Sequence, residues 1–211
     1  HNIGAFNLVL KDESASSAAA NRFALNADVT LSVDQAAIFQ YDSTSSRWRA
    51  AAVGVVTAGQ VIQVLSTIKT DTFSTSTTGS WVAVTGVSQA ITPASTANKV
   101  LVRVMLTHST DQVAGVNCYG RLTRGGTAIG VGAVAGSRTL AGFHLQVINA
   151  DEAVTIMYEF YDSPASVAAQ TYAVEIYLES GSKYIGRSFT DTDTANWGRY
   201  PAVITCMEVK V

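Results

Sequence analysis

The chain has 211 residues, 47% of them hydrophobic and only 14% charged, with a formal net charge of −2. That length fits one large β domain, or one domain with a smaller appendage, and the scarcity of charge against the roughly 25% of an average soluble protein leaves a surface of Ser, Thr, Asn and Gln. The negative balance excludes the concentrated positive field that nucleic acid needs, and no apolar run approaches the roughly 20 residues of a membrane-spanning helix.

No basic region followed by an apolar one opens the chain, so no signal peptide is expected. The start on His1 reads as processing or, the favoured reading, as a beginning inside a longer polypeptide. Phe6 to Leu10 reads as a strand and KDESASSAAAN as a polar loop of small residues. Val29 to Val33 and Ala37 to Tyr41 follow as strands, with Asp34-Gln35 as their turn, and DSTSS leads into Arg47-Trp48-Arg49. Short strands separated by turn chemistry make residues 1–54 a small β module. Residues 55–80 read as a connecting segment. Within it Val61 to Ile68 has strand character, and KTDTFSTSTTGS offers little to pack besides Phe73.

Residues 81–211 carry the strongest alternation. Trp81–Val87 and Lys99–Thr107 flank a Pro-containing turn, and Val100, Val102, Val104 and Leu106 share one parity while Arg103 and Thr107 take the other, as a half-buried strand requires. Further strands are expected over Asn117–Arg124, Ala128–Val134, Gly142–Asn149, Ala153–Phe160, Thr171–Glu179 and Val203–Val211, with a weaker one near Lys183–Phe189. Turn signals recur at Gly125-Gly126, Asn149-Ala150-Asp151, Asp162-Ser163-Pro164 and Ser180-Gly181. No amphipathic helix of useful length is present. The expected class is all-β, a sandwich, jelly roll or barrel.

Little in the chain reads as chemistry. Glu175 and Glu179 are the best carboxylate pair, yet four residues along a strand is roughly 13 Å, beyond the ~5–9.5 Å of glycosidase pairs, so they read as a solvated face with Tyr177 between them. Gly86-Val-Ser88-Gln-Ala90 misses the G-x-S-x-G pattern by one residue and no helix can follow Ser88, because Ile91-Thr92-Pro93 comes next. Asp191-Thr-Asp193-Thr-Ala-Asn196 lacks the glycine and the distal glutamate of a helical calcium loop and reads as a polar loop. No catalytic residue, metal site or cofactor is expected. Cys118 and Cys206 have no metal-type spacing; two buried free thiols is the plainer reading, and a disulfide between neighbouring strands is the alternative.

One loop invites a binding reading. Asn196, Trp197, Arg199 and Tyr200 place two aromatics and an arginine in a turn before the last strand, a combination that anchors binding surfaces and stacks on sugar rings. The competing reading has Trp197 and Tyr200 closing one end of the sandwich or a subunit contact.

FNLVLKDESASSAAANRFAL and VTLSVDQAAIFQYDSTSSRWRA together resemble a small β module common in phage tail-fibre and other virion proteins, by the Asn21-Arg22-Phe23 step, the strand pair, and Tyr41-Asp42 leading to Ser46-Arg47-Trp48. WVAVTGVSQAITPASTANKVLVRV, RLTRGGTAIGVG, YDSPASVAAQTYAVEI and ITCMEVKV resemble a C-terminal domain of phage virion proteins, often a jelly roll of the tumour-necrosis-factor or complement-C1q type. The resemblance implies a virion protein, assembled in the host cytoplasm and forming a homotrimer. Its partners would be copies of itself, other virion proteins and a host-surface polysaccharide or protein, with neither nucleic acid nor membrane insertion. A non-catalytic tail-fibre or receptor-binding role leads; a capsid decoration or head-fibre protein and a polysaccharide-degrading spike are the alternatives. The trimer is expected to bury apolar residues on the second face of strands such as Val203–Val211.

Overall fold

The computed structural model describes residues 2–33, 35–53, 59–111, 117–147, 149 and 152–211. His1, Gly54 and the turn residues Asp34, Ala150 and Asp151 lie outside the described residues. The chain divides into two compact units, His1–Thr57 and Ala58–Val211.

The first unit holds two small sheets. Strand β1 (Leu8–Leu10) and β3 (Val29–Leu31) pair antiparallel, while β2 (Phe23–Ala24), β5 (Arg47–Val53) and β4 (Ala37–Asp42) form a second sheet in that order, with β2 parallel to β5. Polar staples hold it. Asp42 accepts from the Ser45 hydroxyl at 2.6 Å and from Arg49 Nε at 2.9 Å, which keeps its carboxyl well below the usual range. Arg47 Nε reaches both oxygens of Glu13, at 2.8 and 2.9 Å. Ring pairs Phe23–Phe39 and Tyr41–Trp48, with centroids 4.8 and 5.3 Å apart, add packing. Ile3, Phe6, Val33 and Ile38 stay exposed.

The second unit is a sandwich of two antiparallel sheets. One contains β6 (Val61–Lys69), β16 (Ala202–Val209), β9 (Lys99–Thr110), β15 (Lys183–Ile185) and β7 (Phe73–Thr75), with β13 (Val154–Asp162) on the other edge of β9. The other runs β8 (Trp81–Ile91), β14 (Gln170–Leu178), β10 (Cys118–Arg124), β11 (Thr127–Ile129), with β12 (Phe143–His144) also on β10. The first strand of the unit thus pairs with the last, and the next long strand, β8, pairs with β14. This inward-winding order is that of a jelly roll, which the sequence leads one to expect. Residues 61–75, read from the sequence as part of a connection, carry β6 and β7, both hydrogen-bonded into the sandwich.

Parity decides which side chains meet. Val100, Val102, Val104 and Leu106 of β9, Ile204 and Cys206 of β16, and Tyr172, Val174, Ile176 and Leu178 of β14 are all buried in one core. Cys118 joins it from β10, so both cysteines are buried free thiols on opposite sheets, and burial pushes them up to about 11 and about 12. Two expected strands are shorter than their apolar content suggests. Ala128–Val134 stops at Ile129 because Gly130 turns to φ +61° beneath the Tyr158 and Phe160 rings, and Tyr158 donates its hydroxyl to the Gly130 carbonyl at 2.5 Å. Gly142–Asn149 contracts to Phe143–His144, paired with Gly120 and Tyr119 of β10. Trp81–Val87 instead runs on to Ile91, through Gly86 at φ +84° and a register shift opposite Ala173/Glu175. Ser88 lies inside this strand, where it forms no nucleophile elbow.

Buried polar groups are tied to the loops they position. Glu208 Oε1 accepts from the Ala94 amide at 2.7 Å and Asn98 Nδ2 at 2.6 Å, fixing the turn between β8 and β9. Asp162 Oδ2 accepts from the Tyr172 hydroxyl at 2.7 Å and Arg124 Nη1 at 2.6 Å, joining strands of the two sheets. Lys183 Nζ donates to the Leu145 carbonyl at 2.6 Å from a fully buried position, which lowers it to about 8.

Candidate functional site

The loop 186–201 between β15 and β16 carries the four residues singled out in the sequence. Asn196 and Arg199 are exposed, Trp197 and Tyr200 half-buried. Local bonds set its path: the Trp197 amide donates to Thr194 at 3.3 Å, Gly198 to the Ser188 hydroxyl at 3.3 Å, and Tyr200 to Gly186 at 2.9 Å. The Tyr200 ring folds over Gly198, where an added Cβ would lie 2.2 Å from its hydroxyl. Arg199 is engaged by Asp191 in an ion pair, and Arg187 stands 3.6 Å from the other carboxylate oxygen while stacking on Tyr184 at 4.0 Å. The bond from Arg199 holds the Asp191 carboxyl below its ordinary value. Two guanidinium groups around Asp191 oppose a cation there. Trp197, Gly198 and Arg199 border a shallow concavity of about 190 Å³ with Asp191 and Thr192. The loop therefore brings Trp197 and Arg199 to one rim, turns Tyr200 inward over its own backbone, and leaves Asn196 at the surface.

A second constellation lies on the outer face of the β8–β14–β10 sheet, its members scattered along the sequence. Register aligns Trp81 with Tyr177, Tyr177 with Tyr119, and Tyr119 with His144, one ring from each of four adjacent strands. Centroids are 5.6 Å apart for Trp81–Tyr177, 6.3 Å for Tyr177–Tyr119 and 5.4 Å for Tyr119–His144. Arg121 lies over the Trp81 ring at 4.1 Å and binds Glu175 through Nε at 2.9 Å and Nη2 at 2.7 Å. On the opposite flank Glu179 Oε2 accepts from the Asn117 amide at 3.1 Å and its Nδ2 at 2.9 Å. Asn117, Tyr119, Thr139, Tyr177 and Glu179 line a cleft of about 130 Å³. Glu175 and Glu179 thus serve separate pairs on either side of Tyr177. The available signal was the polar parity of two strands, Tyr119/Arg121 and Glu175/Tyr177/Glu179; their alignment depends on register that one sequence does not specify.

The outer face of the β6–β16–β9–β13 sheet is aliphatic. One cross-strand row is Ile68, Val203, Met105 and Met157, and another is Val64, Met207, Leu101 and Tyr161. Between them runs Ser66, Thr205, Arg103 and Glu159, with Ser66 and Thr205 hydroxyls 2.9 Å apart and Arg103 ion-paired to Glu159. Val64, Ile68 and Met157 are each about 60% exposed (58%, 63% and 64%), an apolar surface on a sheet whose other side is already the core.

No family model and no curated protein matches this sequence. Among solved structures, the chain is similar to a protein of the infectious bursal disease virus Gt strain, with 12% identity, a TM-score of 0.40, and coverage of 87% of this chain and 44% of that one. A protein of T=1 particles derived from infectious bursal virus gives 11% identity and a TM-score of 0.39 over 88% of this chain and 43% of that one. The Gx strain gives 13% identity and a TM-score of 0.37 over 85% and 44%. The chain spans less than half the length of each of these proteins.

Proposed function

We propose that the chain is a bacteriophage virion structural protein, a tail-fibre or receptor-binding protein that adheres to the host surface without catalysis and acts as a homotrimer. The observation that carries this reading is the aliphatic outer face of the β6–β16–β9–β13 sheet. Four strands present apolar rows to solvent on the side away from the core, and such a surface is stable in water when copies of the chain cover it. The jelly-roll strand order and the sequence resemblance to phage modules support the same reading. Adhesion gains from such an assembly, because three weak sites on one rigid body bind far more tightly than one.

Gold-labelled antibody against the chain, applied to intact particles, tests its place in the virion. Label on the tail supports the reading, label on the capsid converts it to a decoration or head-fibre role, and particles without the chain overturn both. Release of oligosaccharide fragments from host polysaccharide by the purified protein would turn it into a spike enzyme. The Trp197/Tyr200 loop is proposed as one receptor contact. Replacing both residues with Ala is expected to abolish host-cell binding while the trimer persists; loss of the trimer instead assigns the loop a structural role.

A further inference from the structure

The outer face of the β8–β14–β10 sheet differs in kind from the aliphatic face opposite. Its central row is aromatic and one residue wide, Trp81–Tyr177–Tyr119–His144, with His144 exposed and the other three rings half-buried, and it crosses four strands, about 14 Å at roughly 4.8 Å per strand. Cross-strand ring pairs do stabilise sheets. This row adds polar side chains along both flanks, Arg121 and Glu175 on one side and Asn117 and Glu179 on the other, and a cleft walled by two tyrosines with Thr139 at its edge.

We propose that this row is a saccharide-binding platform, taking a short run of a neutral glycan across the strands. Three features select that ligand. Ring spacings of 5.4 to 6.3 Å are close to the advance of one pyranose unit along an extended glycan, so successive sugars lie against successive rings. Pyranose rings present C–H faces to aromatic faces and hydroxyls at their edges, where Thr139 and the Glu179 carboxylate stand as partners; Glu179 already spends one oxygen, Oε2, on Asn117. Arg121 is paired with Glu175 and stacked on Trp81, while the second carboxylate, Glu179, bonds the neutral Asn117, so these side chains carry no excess of positive charge for an anionic ligand. An ammonium ligand would call for rings closed around one point, whereas these lie in a line. The platform deepens the adhesive reading and rests on it for the biological source of the glycan.

The test is calorimetric titration of the full chain with neutral tetrasaccharides of glucose, mannose, galactose and N-acetylglucosamine. At least one is expected to bind, and Tyr119→Ala and Tyr177→Ala each to weaken it tenfold or more, with Tyr177→Phe restoring it. Thr139→Trp, at an exposed loop position outside the strands, fills the cleft and is expected to abolish binding without disturbing the fold. Absence of binding for all four sugars, or binding that Thr139→Trp leaves unchanged, overturns the proposal. Host-cell binding separates the two readings. If wild type binds none of the sugars yet adheres to host cells, the platform fails and adhesion stands; if wild type binds a sugar but no host cell, adhesion fails and the platform stands.

Discussion

His108 sits fully buried at the end of the core-facing row of β9, and neither ring nitrogen has a hydrogen-bond partner among the described residues. Burial, then the nearby Lys183 and His144 charges, lowers it to about 3. An unfolded histidine titrates near 6.5, so between about 6.5 and 3 the unfolded chain holds a proton that the folded chain refuses, and stability falls as pH drops through that window. From pH 7 to 4.5 the loss is expected to be about 2–3 kcal/mol by urea denaturation. His108→Leu is expected to remove most of that pH dependence and to leave stability at pH 7 equal or higher, because it replaces orphaned polar atoms with apolar ones. The histidine's place in the core row follows from parity alone. Its lack of partners does not, since that depends on what β15 and the opposite sheet set against it. Arg199 is the reverse case: in sequence it stands free in a loop, and in the fold Asp191, eight residues earlier, holds it in an ion pair.

Among elements, the short β12 is held by one close approach. The Phe143 ring occupies the space beside Gly120, where an added Cβ would come within 2.0 Å of it. Gly120→Ala is therefore expected to cost about 1–3 kcal/mol, read as a lower thermal midpoint, and Phe143→Ala in the same chain to recover part of the loss by opening the space. Long strands with steady alternation, β9, β13, β14 and β16, are legible in the sequence because one face is buried, or in β13 half-buried, along their length. Strands that end early are not. Gly130 ends β11 for a tertiary reason, the rings of Tyr158 and Phe160 above it, and the apolar run that follows gives no hint of it. The aromatic row stayed hidden for a related reason, since Trp81, Tyr119 and Tyr177 lie 38 and 58 residues apart in sequence and meet only through pairing.

For the whole molecule, the aliphatic face and the small first unit point the same way. Residues 2–33 and 35–53 leave Ile3, Phe6, Val33 and Ile38 in solvent, and a unit of that size has little core of its own. Light scattering on the full chain is expected to give a trimer, and Leu101→Asp with Met105→Asp to give a monomer whose sandwich still melts cooperatively, because both side chains point away from the core. A wild-type monomer at micromolar concentration would remove the basis for assembly through this face.

The polar row that divides that face has a kinetic consequence. A newly folded protomer shows two narrow greasy strips, not one continuous sheet, and Arg103 and Glu159 between them interrupt the surface most prone to indiscriminate sticking. A copy that docked one row out of line would press the ion pair against methionine and isoleucine and strip it of water, at a cost of several kcal/mol. In the assembly proposed above, the same two residues that weaken the first encounter would also disfavour copies docked out of line.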